Sequence, residues 1–184
     1  MPKTKTFSLK QVNWVSLIAL AIFFFPLSAQ ATDRTDVLVG LKTLPMLDQA
    51  ISPPVVVGIV YDPNSATSKA DAEAISSVFD GTVKTPDGQR VTGLLIPISE
   101  LGKLSQVKMT FIAQGVDDHL DAIAQAASAQ NVLTMSTDLK CVRTNKCVLG
   151  IVSEPAVEIY FSRAASETSK IGFDSAFTML IKKV

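Results

Sequence analysis

Histidine and tryptophan occur once each in this chain, and cysteine twice. One imidazole and two thiols cannot assemble the four-ligand zinc sites common in proteins. Charge of one sign is not in excess either: Lys+Arg and Asp+Glu are both 17, a formal net charge of +0. A neutral chain offers no electrostatic footprint for nucleic-acid phosphates. Charged residues are only 18% and hydrophobic ones 47%, which excludes a disordered chain. The glycine spacings of phosphate-binding loops are absent, and no serine or cysteine nucleophile motif is present. The reading therefore assigns no catalytic residue, metal ligand or cofactor.

The amino-terminal 31 of the 184 residues read as an address. Lys3, Lys5 and Lys10 form a positive region. Val15 to Phe25 is an uncharged apolar run of 11 residues, and Pro26 ends it. Ala29-Gln30-Ala31 fits the small-x-small rule for a cleaved secretory leader. The run is too short for a spanning helix, which needs about 20 apolar residues. Cleavage after Ala31 leaves 153 residues with 14 basic and 17 acidic side chains, a net −3. Trp14 leaves with the leader. About 150 residues suffice to bury one real core. The expected address is the periplasm, and such an oxidising compartment permits a disulfide.

The remainder alternates helical and strand patterns without an internal repeat. Residues 34–49 carry Val37, Leu38, Leu41 and Leu44 at helical spacing, with Pro45 obscuring the end. Val55 to Tyr61 is a continuous apolar run, the mark of a strand buried on both faces of a parallel sheet. Ser68 and Asp71 have helix-start spacing, and Ala74, Ile75, Val78 and Phe79 give that helix one apolar face. Gly81 reads as its C′ residue. Arg90–Ile98, Val107–Ala113 and Asn131–Ser136 read as strands, and Ser99–Ser105 as a short helix. Leu120, Ile123, Ala124 and Ala127 form an amphipathic stripe. Cys147–Val152 and Ala156–Phe161 read as an antiparallel pair around Ser153-Glu154-Pro155. Gly172–Val184 shows Phe173, Phe177, Leu180, Ile181 and Val184 at helical spacing. The expected fold class is α/β, a layered sandwich whose mostly parallel, mixed sheet is flanked by helices.

Two places attract a functional reading. Cys141 and Cys147 are separated by five residues, which can loop back to the Cα separation a disulfide needs. In an exported chain with two cysteines a bond is the default, against two free thiols. The turn holding Asp62, Asn64, Ser65 and Ser68 follows the first strand and precedes a helix. Ligands of open α/β sheets bind at such carboxyl ends, although the same residue types also serve ordinary turns and caps. His119 beside Asp117, Asp118 and Asp121 suggests base chemistry, yet acids in a first helical turn complement the helix dipole without it. The apolar stretch Val37–Leu47 covers the sheet or presents a face to a partner.

Several segments together resemble the YfiR-like family of exported bacterial proteins. Val107–Thr137 is similar to its strand, leucine-bearing helix and following strand, with Leu133-Thr134-Met135-Ser136 carrying the last piece. Gly150-Ile151-Val152 leading into Val157–Ala165 is similar to its penultimate strand and alanine-rich segment. Ile171–Leu180 looks like its closing helix, and Val55–Asp62 fits its early strand and turn. The resemblance implies residues 32–184 as one periplasmic α/β domain, often dimeric. It implies a non-enzymatic regulator that binds the periplasmic part of a membrane protein such as a diguanylate cyclase, in cyclic-di-GMP signalling. The alternative is a solute-binding protein resembling one lobe of a transport-associated binding protein. In that reading the Asp62–Ser68 turn lines the pocket.

Overall fold

The computed structural model describes residues 31–81 and 83–184. The leader, with Trp14 and the run Val15 to Phe25, lies outside the described residues. Seven strands form one sheet in the order β2-β1-β3-β4-β5-β6-β7. β1 (Val55–Tyr61) pairs in parallel with β2 (Val91–Pro97) and with β3 (Met109–Ile112). β4 (Leu133–Ser136) and β5 (Leu149–Val152) continue the parallel run. β6 (Glu158–Phe161) is antiparallel to β5, and β7 (Lys182–Lys183) runs parallel to β6. The sheet is thus mixed, with a parallel centre and a reversed edge, as the pattern of runs predicts.

Helices cover both faces. α1 (Arg34–Lys42), α2 (Ala66–Phe79), α5 (Arg163–Ser169) and α6 (Ser175–Leu180) contribute to one core. There Val37, Ile75, Ala165 and Phe177 pack with Val57, Ile59, Phe111 and Met135. α3 (Leu120–Ala129), α4 (Leu139–Arg143) and a 3-10 segment (Ile98–Gln106) contribute to the other. There Leu104, Leu120, Ile123 and Val142 pack with Val60 and Ile112. β1 feeds both cores, Val57 and Ile59 into one and Val60 into the other. This explains why its sequence is apolar throughout instead of alternating.

Several boundaries differ from the sequence reading. The first helix stops at Lys42, not near Gln49, because Pro45 has no N–H to donate to the Leu41 carbonyl and so cannot extend the α-helical ladder. A 3-10 turn (Leu44–Met46) follows. Ser65, not Ser68, caps α2, with extended backbone and its hydroxyl accepting from the Ser68 N–H at 3.2 Å. Asp80 takes the C-cap, so Gly81 stands at C′ as read, though without the positive φ common there. Ser99–Ser105 lies within 3-10 helix, kinked at Glu100. The helix predicted over Gly172–Val184 exists only as α6. Asp174 starts it by accepting from the Phe177 N–H at 2.7 Å. Phe173 and Phe177 bury, their centroids 5.0 Å apart, whereas Leu180 is 85% exposed. Ile181 is extended, and the final residues join the sheet edge, where the Val184 N–H donates to Phe161 O at 3.1 Å.

Candidate functional site

The chain places β2 on one side of β1 and β3 on the other, so the strand order reverses there. In open α/β sheets the crevice at the carboxyl ends of such a pair is where ligands sit. Three segments converge on it: the turn after β1, the Ala113-Gln114-Gly115 corner after β3, and Thr137-Asp138 after β4.

The turn after β1 is tied to itself. Asp62 Oδ1 accepts from the Asn64 N–H at 2.8 Å, and the Asp62 N–H donates to Ser68 Oγ at 2.9 Å. Ser68 is fully buried, while Asn64 is exposed. Thus Asp62, Ser65 and Ser68 hold the loop in shape, and Asn64 faces solvent. Gly115 packs against this turn with φ +74, and a Cβ there would stand 3.0 Å from Ser65 Oγ. Only glycine takes that backbone conformation readily and also leaves room for the approach.

The rim carries paired charges. His119 Nε2 lies 3.7 Å from Asp62 Oδ2. Lys140 Nζ donates to Asp117 Oδ1 at 2.6 Å, which raises the Lys140 pKa above its ordinary value. Lys146 pairs with Asp121. Two of the acids beside His119, Asp117 and Asp121, are thus bound to lysines of neighbouring segments, and at 3.7 Å the Asp62 carboxylate stands beyond the hydrogen-bond distance that a catalytic pair requires.

Behind the turn lies a buried cluster that the sequence reading missed. Asp71, 1% exposed, accepts at Oδ1 from the Thr32 N–H at 2.6 Å. Its Oδ2 accepts from the Thr32 hydroxyl at 3.1 Å and from the Gln114 N–H at 2.9 Å. Thr137 Oγ1 lies 2.8 Å from Thr32 Oγ1 and accepts from Gln114 Nε2 at 3.0 Å. The signal was present: Asp71 shares a helical face with Ile75 and Val78, an inward position for an acid.

Cys141 and Cys147 form a disulfide across 5.2 Å between Cα atoms. Cys141 belongs to α4, and both sulfurs sit in the core under α3 rather than at the crevice. Away from the crevice, Leu38, Leu41, Lys42, Pro45, Met46, Lys84 and Pro86 line an open, largely apolar groove of about 580 Å³. The Asp62–Ser68 turn takes no part in it.

No family model matches the chain, and no curated protein does. Solved structures do. One is an ABC domain in complex with L-Trp from Streptococcus pneumonia, at TM-score 0.56 and 10% identity, over 82% of this chain and 59% of that one. A conserved domain protein from Vibrio cholerae matches at TM-score 0.56 and 13% identity, over 82% and 59%. A substrate binding protein with adhesive properties from Clostridium difficile, in a ligand-free, open structure, matches at TM-score 0.58 and 12% identity, over 83% and 60%. The chain therefore spans about six-tenths of the length of these neighbours. At such identities the likeness is one of fold: the chain shares the α/β architecture of these three structures.

Proposed function

We propose that the chain is an exported, non-enzymatic binding domain that takes a small polar solute at the carboxyl edge of β1 and β3. The carrying observation is the Asp62–Ser68 turn packed against Gly115 at the point where strand order reverses. Asn64 supplies an exposed amide there, and hydrogen bonds involving Asp62 and Ser68 already hold the loop around it, which lowers the ordering cost of binding. The fold likeness to domains of substrate-binding proteins supports the same reading. The leader pattern and the Cys141–Cys147 bond support export to the periplasm. The test is thermal shift with panels of amino acids, sugars and nucleosides, repeated on Asn64→Ala. One class is expected to raise Tm in the parent and not in the variant. No shift by any class overturns the proposal.

A second reading is that of the YfiR-like resemblance, a regulator contacting the periplasmic part of a membrane protein such as a diguanylate cyclase. The apolar groove beside α1 supports it, since partner surfaces are apolar patches rimmed by polar groups. Capture of a membrane protein from the native host, lost on Leu38→Asp, tests it.

A further inference from the structure

Asp71 is a buried carboxylate served by three donors, none of which carries a charge. Buried acids are ordinarily paired with a cation. Among the described residues no Lys, Arg or His side chain lies within 4.0 Å of it. The donor nearest to it is the backbone nitrogen of Thr32, at 2.6 Å. That nitrogen is one half of the bond at which the small-x-small pattern of Ala29-Gln30-Ala31 places leader cleavage. Two independent readings, one of sequence and one of packing, thus meet at a single peptide bond. Ala31 on its outer side is exposed, and Thr32 on its inner side is 3% exposed.

We propose that removal of the leader creates the missing cation: the α-ammonium of Thr32 forms a buried ion pair with Asp71 and latches the folded domain. Water, with a leader peptidase as catalyst, adds across the Ala31–Thr32 bond. The carboxylate departs with Ala31, and the nitrogen remains on Thr32 as an ammonium. It keeps the hydrogen bond to Asp71 Oδ1 and gains a full charge. The latch spans four segments, because Asp71 sits on α2, Gln114 follows β3 and Thr137 follows β4. It therefore binds the new amino terminus to the carboxyl edge of the sheet, beside the turn proposed to receive a solute. The inference rests on the export part of the proposed function and is independent of any solute.

The test compares two exported proteins. One is processed from the native precursor. The other comes from a precursor with Gly-Ser inserted between Ala31 and Thr32, so that cleavage leaves an amide where the ammonium stood. Both are melted at neutral pH, with Asp71 intact and with Asp71→Asn. The extension is expected to lower Tm by roughly 5 °C or more with Asp71 intact, and to change nothing in Asp71→Asn. Equal melting with Asp71 intact, or a difference that persists in Asp71→Asn, overturns the latch. Should Asp71→Asn fail to fold, acylation of the terminal amine decides. The native terminus is expected to react at least about tenfold more slowly than the Gly-Ser terminus, following burial and pairing. Equal rates overturn the proposal. Intact mass of the native protein reads the cleavage point separately: a chain starting anywhere but Thr32 overturns it through the leader, whatever the melting shows.

Discussion

Gly40 and Phe111 meet where only a hydrogen atom fits between helix and sheet. A Cβ on Gly40 would stand 2.5 Å from Phe111 Cζ and 3.0 Å from Met135 Sδ. These rings and thioethers are fully packed and have no room to give. Gly40→Ala is therefore expected to destabilise the domain by about 1–3 kcal/mol through overpacking, against a helix-propensity gain of about 1 kcal/mol. Urea unfolding reads the net loss. A gain in stability would show that α1 can lift off the sheet without cost.

The Cys141–Cys147 bond closes a loop of sequence separation 6. The chain-entropy model gives such a short loop about 2 kcal/mol of stabilisation. Melting with and without reductant, beside the double variant Cys141→Ser/Cys147→Ser, is expected to show that loss. Because the sulfurs lie in the core and not at the crevice, solute binding below the melting range is expected to survive reduction.

Ser68 and Ser65 are expected to differ in cost. Ser68→Ala leaves the partly buried Asp62 N–H without its partner, a penalty of about 1 kcal/mol or more. Ser65→Ala removes an N-cap, a loss of about 1 kcal/mol. Denaturant unfolding of both variants measures the order.

Glu158 titrates below its ordinary value because Lys182 donates to it, and the Tyr160 hydroxyl adds a second hydrogen bond. A carboxylate with a depressed folded pKa contributes stability above its unfolded pKa and loses that contribution as pH falls through the folded one. The attachment of β7 is thus expected to weaken in acid. Carboxyl NMR should place the Glu158 midpoint below 4.5, and Lys182→Ala should move it upward. An unmoved midpoint would remove the ion pair as its cause.

What the sequence revealed of this fold follows from the range of the forces involved. Val55–Tyr61 announced itself because burial on both faces leaves no polar position. The stripe of Leu120, Ile123 and Ala127 did so because one helix face alone carries the contact. The Gly172–Val184 pattern misled because its helical spacing is satisfied by Phe173 and Phe177 only. The residues after Leu180 answer instead to Glu158, Tyr160 and Phe161, which lie elsewhere in the chain. Ser68 and Asp71 looked like a local cap for the same reason. The partner of Asp71 is 39 residues away, and no window of neighbouring residues contains it. The Asp62–Ser68 turn was located from its place after a strand, whereas its contact with Gly115 depends on the strand order, which spacing does not encode.

The sheet ends at β7, a strand of two lysines. Its Lys182 is held over the Tyr160 ring at 5.5 Å, and both lysines are exposed. An edge so short and so cationic is a poor template for a further strand. Two copies brought together along this border would set ammonium against ammonium, so assembly by extending the sheet through β7 is opposed from the outset, which leaves the β2 border and the helical faces for any self-association.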